Sequence, residues 1–229
     1  MILPSGISTL DRILNGGLNT GILTHVYGEA AAGKTTFALQ FVKAMCRQDI
    51  GTVYINSETT SPVARLEQMT GKRFDELDDV IKIFLPNGFS EQGVLIDDLE
   101  LYMRDDMQLV IIDTLTKHYR LALEDKKTNY ANHRELNRQT GMLKGLARQH
   151  DVAVLVLNQV TSRINGVDDF EPVARNILDY WSDYTIKMKV GRTAGERLLR
   201  RVMPEGDRSD GRLYLTESGF SVERPNEKE

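Results

Sequence analysis

The run Gly28-Glu29-Ala30-Ala31-Ala32-Gly33-Lys34-Thr35, followed by Thr36, carries the sharpest chemical signal in the chain. Its spacing, G-x-x-x-x-G-K-[ST], belongs to loops that wrap phosphate. Glycines let the backbone curl so that successive N–H groups point at one anion. A helix starting at the lysine adds the positive end of its dipole. In such a loop Lys34 reaches the β- and γ-phosphates, the Thr35 hydroxyl holds Mg²⁺, and Thr36 contacts the α-phosphate. Three further polar positions each follow an apolar run. Asp113 closes Leu109-Val110-Ile111-Ile112, Glu58 follows residues 52–55 by way of Asn56-Ser57, and Asn158-Gln159 follows residues 152–157. At the carboxyl ends of parallel strands all three would face one ligand crevice. Asp113 is then placed to hold Mg²⁺. Glu58 could orient and deprotonate a water, or be an exposed loop acid. The amide of Gln159 could report the γ-phosphate to the next loop.

These roles need a scaffold of strands ending at one edge. Short apolar, β-branched runs occur at residues 22–27, 52–55, 80–84, 109–112, 152–157 and 184–188. Between them lie segments of helical period, with Phe37, Phe41, Ala44 and Met45 on one side of 36–47, and Leu136, Leu143, Leu146 and Ala147 on one side of 132–149. Strands alternating with helices predict βαβ units. After Gly191 the pattern changes to short strands and turns. The expected fold is α/β, a mostly parallel central sheet flanked by helices with a short antiparallel C-terminal extension. Residues 1–222 are expected to form one domain and 223–229 a frayed tail.

Composition narrows the function classes. The chain has 229 residues, 41% of them hydrophobic, enough for a core without disulfides or metals. Its single cysteine, Cys46, excludes an intramolecular disulfide and points to a buried thiol. No apolar run is long enough for a membrane span, and no signal peptide is evident, so a cytoplasmic protein is expected. The net charge of −4 argues against a globally basic nucleic-acid coat. It is unevenly spread, however. Residues 91–106 hold six acids and one arginine, whereas 117–150 hold eight Lys/Arg against three acids and 187–212 eight against four. Either basic window could be a solvated face or a local phosphate contact.

Together these motifs resemble the RecA-like recombinase core, and within it the short archaeal RadB-type paralogues of the RadA recombinase. The opening Ser5-Gly6-Ile7-Ser8-Thr9-Leu10-Asp11 through Gly16-Gly17-Leu18 is similar to the first segment of that core. GEAAAGKTT (28–36) resembles its Walker A loop and LVIIDTLTKHYR (109–120) its Walker B stretch with a trailing Tyr-Arg pair. YINSETTSPVARL (54–66) places Glu58 on the family's catalytic glutamate and Arg65 on the arginine that stacks on adenine. VAVLVLNQV (152–160) places Gln159 on the sensor that leads into DNA-binding loop 2, and Pro172-Val173-Ala174 resembles the end of that loop.

The resemblance implies a RecA-like P-loop ATPase that uses ATP and Mg²⁺. Lys34, Glu58 and Gln159 would be catalytic, residues 28–36 and Arg65 nucleotide-binding, Thr35 and Asp113 metal-binding. It places loop 1 near residues 121–133 and loop 2 near 161–171, with Lys126, Lys127, Arg134, Arg138 and Arg163 as DNA contacts that read no sequence. Departures from the pattern temper the expected activity. The sequence opens at the core, without the helical DNA-binding domain or the phenylalanine filament tether of full recombinases. Val173-Ala174 stand where those have Gly-Gly, Asn56 where Asp is common, and Thr59 where Gly is common. The expectation is therefore a weakly hydrolysing accessory protein of recombination and repair that binds single-stranded or branched DNA. Its expected partners include a RadA-type recombinase or a Holliday-junction resolvase, with oligomers possible and no membrane contact. A KaiC-like signalling ATPase and a non-catalytic, ATP-switched binding module are the competing readings. Elsewhere, Trp181, Tyr180, His118 and His133 read as packing or solvated positions, and Arg200-Arg201 as a surface pair or as cations reaching a neighbour's γ-phosphate.

Overall fold

The computed structural model describes residues 1–123, 126–162, 170–206 and 209–225. An opening β-ribbon of β1 (Ile2–Leu3) and β2 (Leu18–Asn19) brackets helix α1 (Ser8–Ile13). There follow β3 (Leu23–Gly28), α2 (Lys34–Cys46), β4 (Gly51–Asn56), α3 (Val63–Thr70), β5 (Ile81–Phe84), α4 (Phe89–Asp97), α5 (Leu99–Tyr102) and β6 (Met107–Asp113). After these come α6 (Lys117–Leu121), α7 (Lys126–His150), β7 (Ala153–Asn158), a small hairpin of β8 (Val160–Ser162) and β9 (Phe170–Pro172), and α8 (Arg175–Trp181). The chain ends in β10 (Tyr184–Val190), β11 (Glu196–Met203), β12 (Asp210–Thr216) and β13 (Gly219–Ser221).

Nine strands form one sheet in the order β13-β12-β11-β10-β3-β7-β6-β4-β5. The six from β10 to β5 are mutually parallel, and β11, β12 and β13 add antiparallel to the β10 edge. The parallel strands are the six apolar runs read from the sequence. The inner four, β3, β7, β6 and β4, are buried on both faces, which is why they read as near-continuous apolar stretches. Alternation divides them between two cores. Tyr54, Leu109, Ile111, Leu155 and Leu157 face α1, α2 and the C-terminal strands. Val53, Ile55, Val110, Ile112, Val154 and Val156 face α4, α7 and α8. Helix α2 is buried almost all round, with Phe37, Leu39, Phe41 and Met45 inaccessible and Cys46 buried as expected. Truncating Phe37 or Phe41 to alanine would cost about 3–5 kcal/mol.

This order carries β3, β4, β6 and β7 to one edge. Their carboxyl ends are Gly28, Asn56, Asp113 and Asn158, so the four motifs of the sequence meet there. One expectation is corrected. Residues 126–133, placed in loop 1 by resemblance, form the first two turns of α7. The helical period extends further toward the N-terminus than the apolar residues that revealed it. Loop 2 is flanked by the β8–β9 ribbon, and residues 163–169, including Arg163, lie outside the described residues. Arg201 is another correction. It is buried, donating to Ile13 O at 2.8 Å and Asn15 Oδ1 at 2.9 Å, because odd-numbered residues of β11 face α1 and α2. Arg200 faces solvent.

His25 on β3 is fully buried, and burial lowers its pKa to about 3. It is therefore neutral when folded, while the unfolded chain takes up a proton below pH 6.5. Its contribution is complete above pH 6.5 and is lost as pH falls toward 3. Between pH 7.5 and 5.5 the protein should lose on the order of 1 kcal/mol of unfolding free energy through this group. Urea unfolding of His25→Gln should lack that component, and an identical pH dependence in the variant would refute it.

Candidate functional site

The phosphate loop leaves β3 at Gly28 because β10 comes too close for any side chain there. A Cβ would lie 2.4 Å from Met188 O. Gly33 ends the loop at φ +90°, a left-handed conformation. Ala31 also takes a positive φ, 60°. These left-handed positions curl the loop over the N-terminus of α2, the kind of backbone that forms an anion nest. Lys34 folds back over it, Nζ donating to the carbonyls of Gly28 at 2.8 Å and Glu29 at 2.9 Å. Burial lowers the Lys34 pKa, an effect opposed by the nearby charges of Asp113, Glu58 and Glu29.

Asp113 is buried at the end of β6. Its Oδ2 accepts from Thr35 Oγ1 at 2.8 Å and from the Tyr54 hydroxyl at 2.7 Å. Its Oδ1 is buried with no hydrogen-bond partner among the described residues. Burial raises the Asp113 pKa, while the Tyr54 and Thr35 hydrogen bonds pull it down. A buried carboxylate with one open oxygen, beside a threonine hydroxyl and an anion nest, fits a hard divalent cation held jointly with phosphate. Tyr54 is a partner of Asp113 that reading the sequence missed. The alternation of β4, which turns Tyr54 away from Val53 and Ile55, was the available signal.

Glu58 lies across the crevice. Its Oε1 accepts from Thr114 Oγ1 and Gln159 Nε2, each at 3.0 Å, and Oε2 lies 3.4 Å from Lys117 Nζ. Asn56 shapes the turn that carries it, donating from Nδ2 to the carbonyls of Glu58 and Thr60, each at 3.2 Å. Gln159 is oriented from its other end, where Arg120 Nη1 donates to Oε1 at 2.8 Å. The backbone carbonyl of Gln159 accepts from Val173 N at 3.0 Å, at the foot of the β8–β9 ribbon. Glu58, Gln159 and Arg120 thus form one chain from the phosphate end of the crevice to that ribbon. A cavity of about 740 Å³ joins them, lined by Gly28, Lys34, Thr35, Asp113, Arg65 and Arg197 among others.

Arg65, at the far rim, is tied to the C-terminal turn by bonds to Thr216 O at 2.6 Å and Glu217 O at 2.9 Å, and to Gln68. These bonds run along the guanidinium edges, which fixes its plane and leaves its faces for stacking. The expected DNA contacts are more scattered. Lys127 and Arg134 lie on the first turns of α7, Arg134 over the Tyr130 ring at 6.0 Å from its centroid. Lys126 begins the same helix. Arg138 is reassigned. Its guanidinium binds Glu135 at 2.7 and 2.8 Å and Asp97 at 2.6 Å, clasping α7 to α4. Those hydrogen bonds raise its pKa, and its donors are committed. Trp181 donates to Asn137 Oδ1 at 2.9 Å while Tyr180 is exposed. His118 and His133 bond to Pro86 O and the Tyr119 hydroxyl.

The family model described as Rad51 matches residues 1–220. Curated relatives titled DNA repair and recombination protein RadB match most of the chain. The one from Methanothermobacter thermautotrophicus is 34% identical over 203 residues, covering 85% of each chain. The one from Methanococcoides burtonii is 31% identical over 207 residues, covering 89% of this chain and 91% of its own. The crystal structure of the RadB recombinase superposes with a TM-score of 0.77 at 30% identity, covering 96% of this chain and 98% of that one. The family match over nearly the whole chain, the RadB relatives and the RadB structure show that the chain belongs to the Rad51 family of RecA-like proteins, in its RadB branch.

Proposed function

We propose that this protein binds ATP and Mg²⁺, hydrolyses ATP weakly, and acts on DNA as an accessory of recombination and repair in the cytoplasm. The observation that carries the reading is the open oxygen of Asp113, held beside Thr35 and the phosphate loop. Lys34 and the loop N–H groups hold the phosphates. Thr35 and Asp113 hold the cation, and Arg65 covers the base. Bound Mg²⁺ neutralises phosphate charge and polarises the γ-phosphoryl group. Glu58, its carboxylate oriented by Thr114 and Gln159, accepts the proton of the attacking water. Lys117 competes for the free oxygen of that base, consistent with slow turnover.

Gln159 links the site to DNA. Its amide contacts Glu58 and its carbonyl anchors Val173, so a change at the γ-phosphate end reaches the loop-2 ribbon through one residue. Lys126, Lys127, Arg134 and Arg163 supply sequence-independent phosphate contacts. A RadA-type recombinase or a Holliday-junction resolvase is the class of protein partner in keeping with the RadB relatives. A signalling ATPase of KaiC type would need none of these DNA contacts.

Lys34→Ala should abolish ATP binding in calorimetry, and unchanged binding would overturn the nucleotide site. Glu58→Gln should still bind ATP while turnover drops about 10²–10⁴-fold. Unchanged turnover would remove Glu58 as the base. Affinity for single-stranded DNA should fall with salt, with a log–log slope of about −2 to −3 for three to four phosphate contacts. A flat response would remove the phosphate-contact model.

A further inference from the structure

The cavity has a cation that no motif announces. Arg197 lies on β11, paired across to Val190 on one side and Leu213 on the other. With Leu199 and Arg201 it belongs to the row of β11 that faces inward, and it is the member nearest the phosphate loop. Its Nε donates to Ala31 O at 3.0 Å and its Nη1 to Glu196 O at 2.8 Å. Nη2 makes no hydrogen bond, and Arg197 no ion pair, among the described residues. Two nearby carboxylates are already engaged. Glu29 accepts from Val190 N at 2.8 Å, and Glu196 accepts from Arg192 N at 2.8 Å and pairs with Arg212 Nε at 3.0 Å.

The loop itself lacks what Arg197 offers. Three of its four variable positions are Ala30, Ala31 and Ala32, and Glu29 is turned away to β10. Between its glycines the loop therefore supplies backbone N–H groups but no side-chain cation. A guanidinium held by two carbonyls, with one nitrogen open to a cavity shared with Lys34 and Thr35, suits a phosphate oxygen. We propose that Arg197 is a second cationic ligand of the nucleotide's phosphates, delivered by the C-terminal antiparallel extension. The proposal rests on the ATP-binding reading above. It makes the extension part of the nucleotide site, because Arg197 and the Thr216–Glu217 turn hold the loop and Arg65 from one side.

Two substitutions separate a phosphate ligand from a mere brace on Ala31. Glutamine keeps hydrogen-bond donors but no charge, whereas lysine keeps the charge. Calorimetric titration of the full chain with ATP and Mg²⁺ should show Arg197→Gln weakened about tenfold or more. Arg197→Lys should stay within about threefold of the unsubstituted protein, with thermal midpoints of the ligand-free variants matching it. Gln binding as well as Lys, or as well as the unsubstituted chain, would overturn the proposal while leaving the nucleotide site standing. Failure of the unsubstituted chain to bind ATP would overturn both.

Discussion

The Asp113 carboxylate stands at the end of an interior strand with one oxygen bonded to Thr35 and Tyr54 and the other open. Burying such a group is costly unless it is paired. The segments after β3 and β6, together with β4, supply its surroundings. Tyr54 comes from β4, Thr35 from the helix that follows β3, and the Glu58–Thr114 contact closes the crevice beside it. A parallel sheet is what allows this, since it gathers carboxyl ends along one edge. The buried cores on its two faces fix the register of those ends.

The same edge would let the proposed nucleotide site and the proposed DNA contacts meet at one residue. Gln159 follows β7 directly and opens the β8–β9 ribbon, so it belongs to the crevice by its amide and to the ribbon by its backbone. Arg120 fixes the amide's orientation from α6. On the opposite side, the antiparallel strands wrap α2 and the loop, with Leu215 and Phe220 close to Gly33. The extension is therefore structural support for the site as well as an edge of the sheet.

Most of the scaffold was legible because its signals are local. Each parallel strand is an apolar run, and the loop motif needs only consecutive residues. The long-range features were less visible. Asp97 claims Arg138 across 41 residues, and only the packing of α4 on α7 reveals that. Arg200 and Arg201 look like a surface pair in one dimension, yet strand alternation buries one and exposes the other. Alternation also turns Arg197 toward the loop, although nothing in its neighbours' identity marks it. The first turns of α7 were read as loop because their residues are polar and show no apolar stripe.

If Gln159 passes the state of the nucleotide site to DNA, single-stranded DNA affinity should depend on ATP and Mg²⁺, measured at fixed salt for the unsubstituted chain and for Gln159→Ala. The unsubstituted chain should bind DNA more tightly with ATP. In the variant that dependence should vanish while ATP binding remains. Equal DNA affinity with and without ATP in the unsubstituted protein would contradict that role for Gln159.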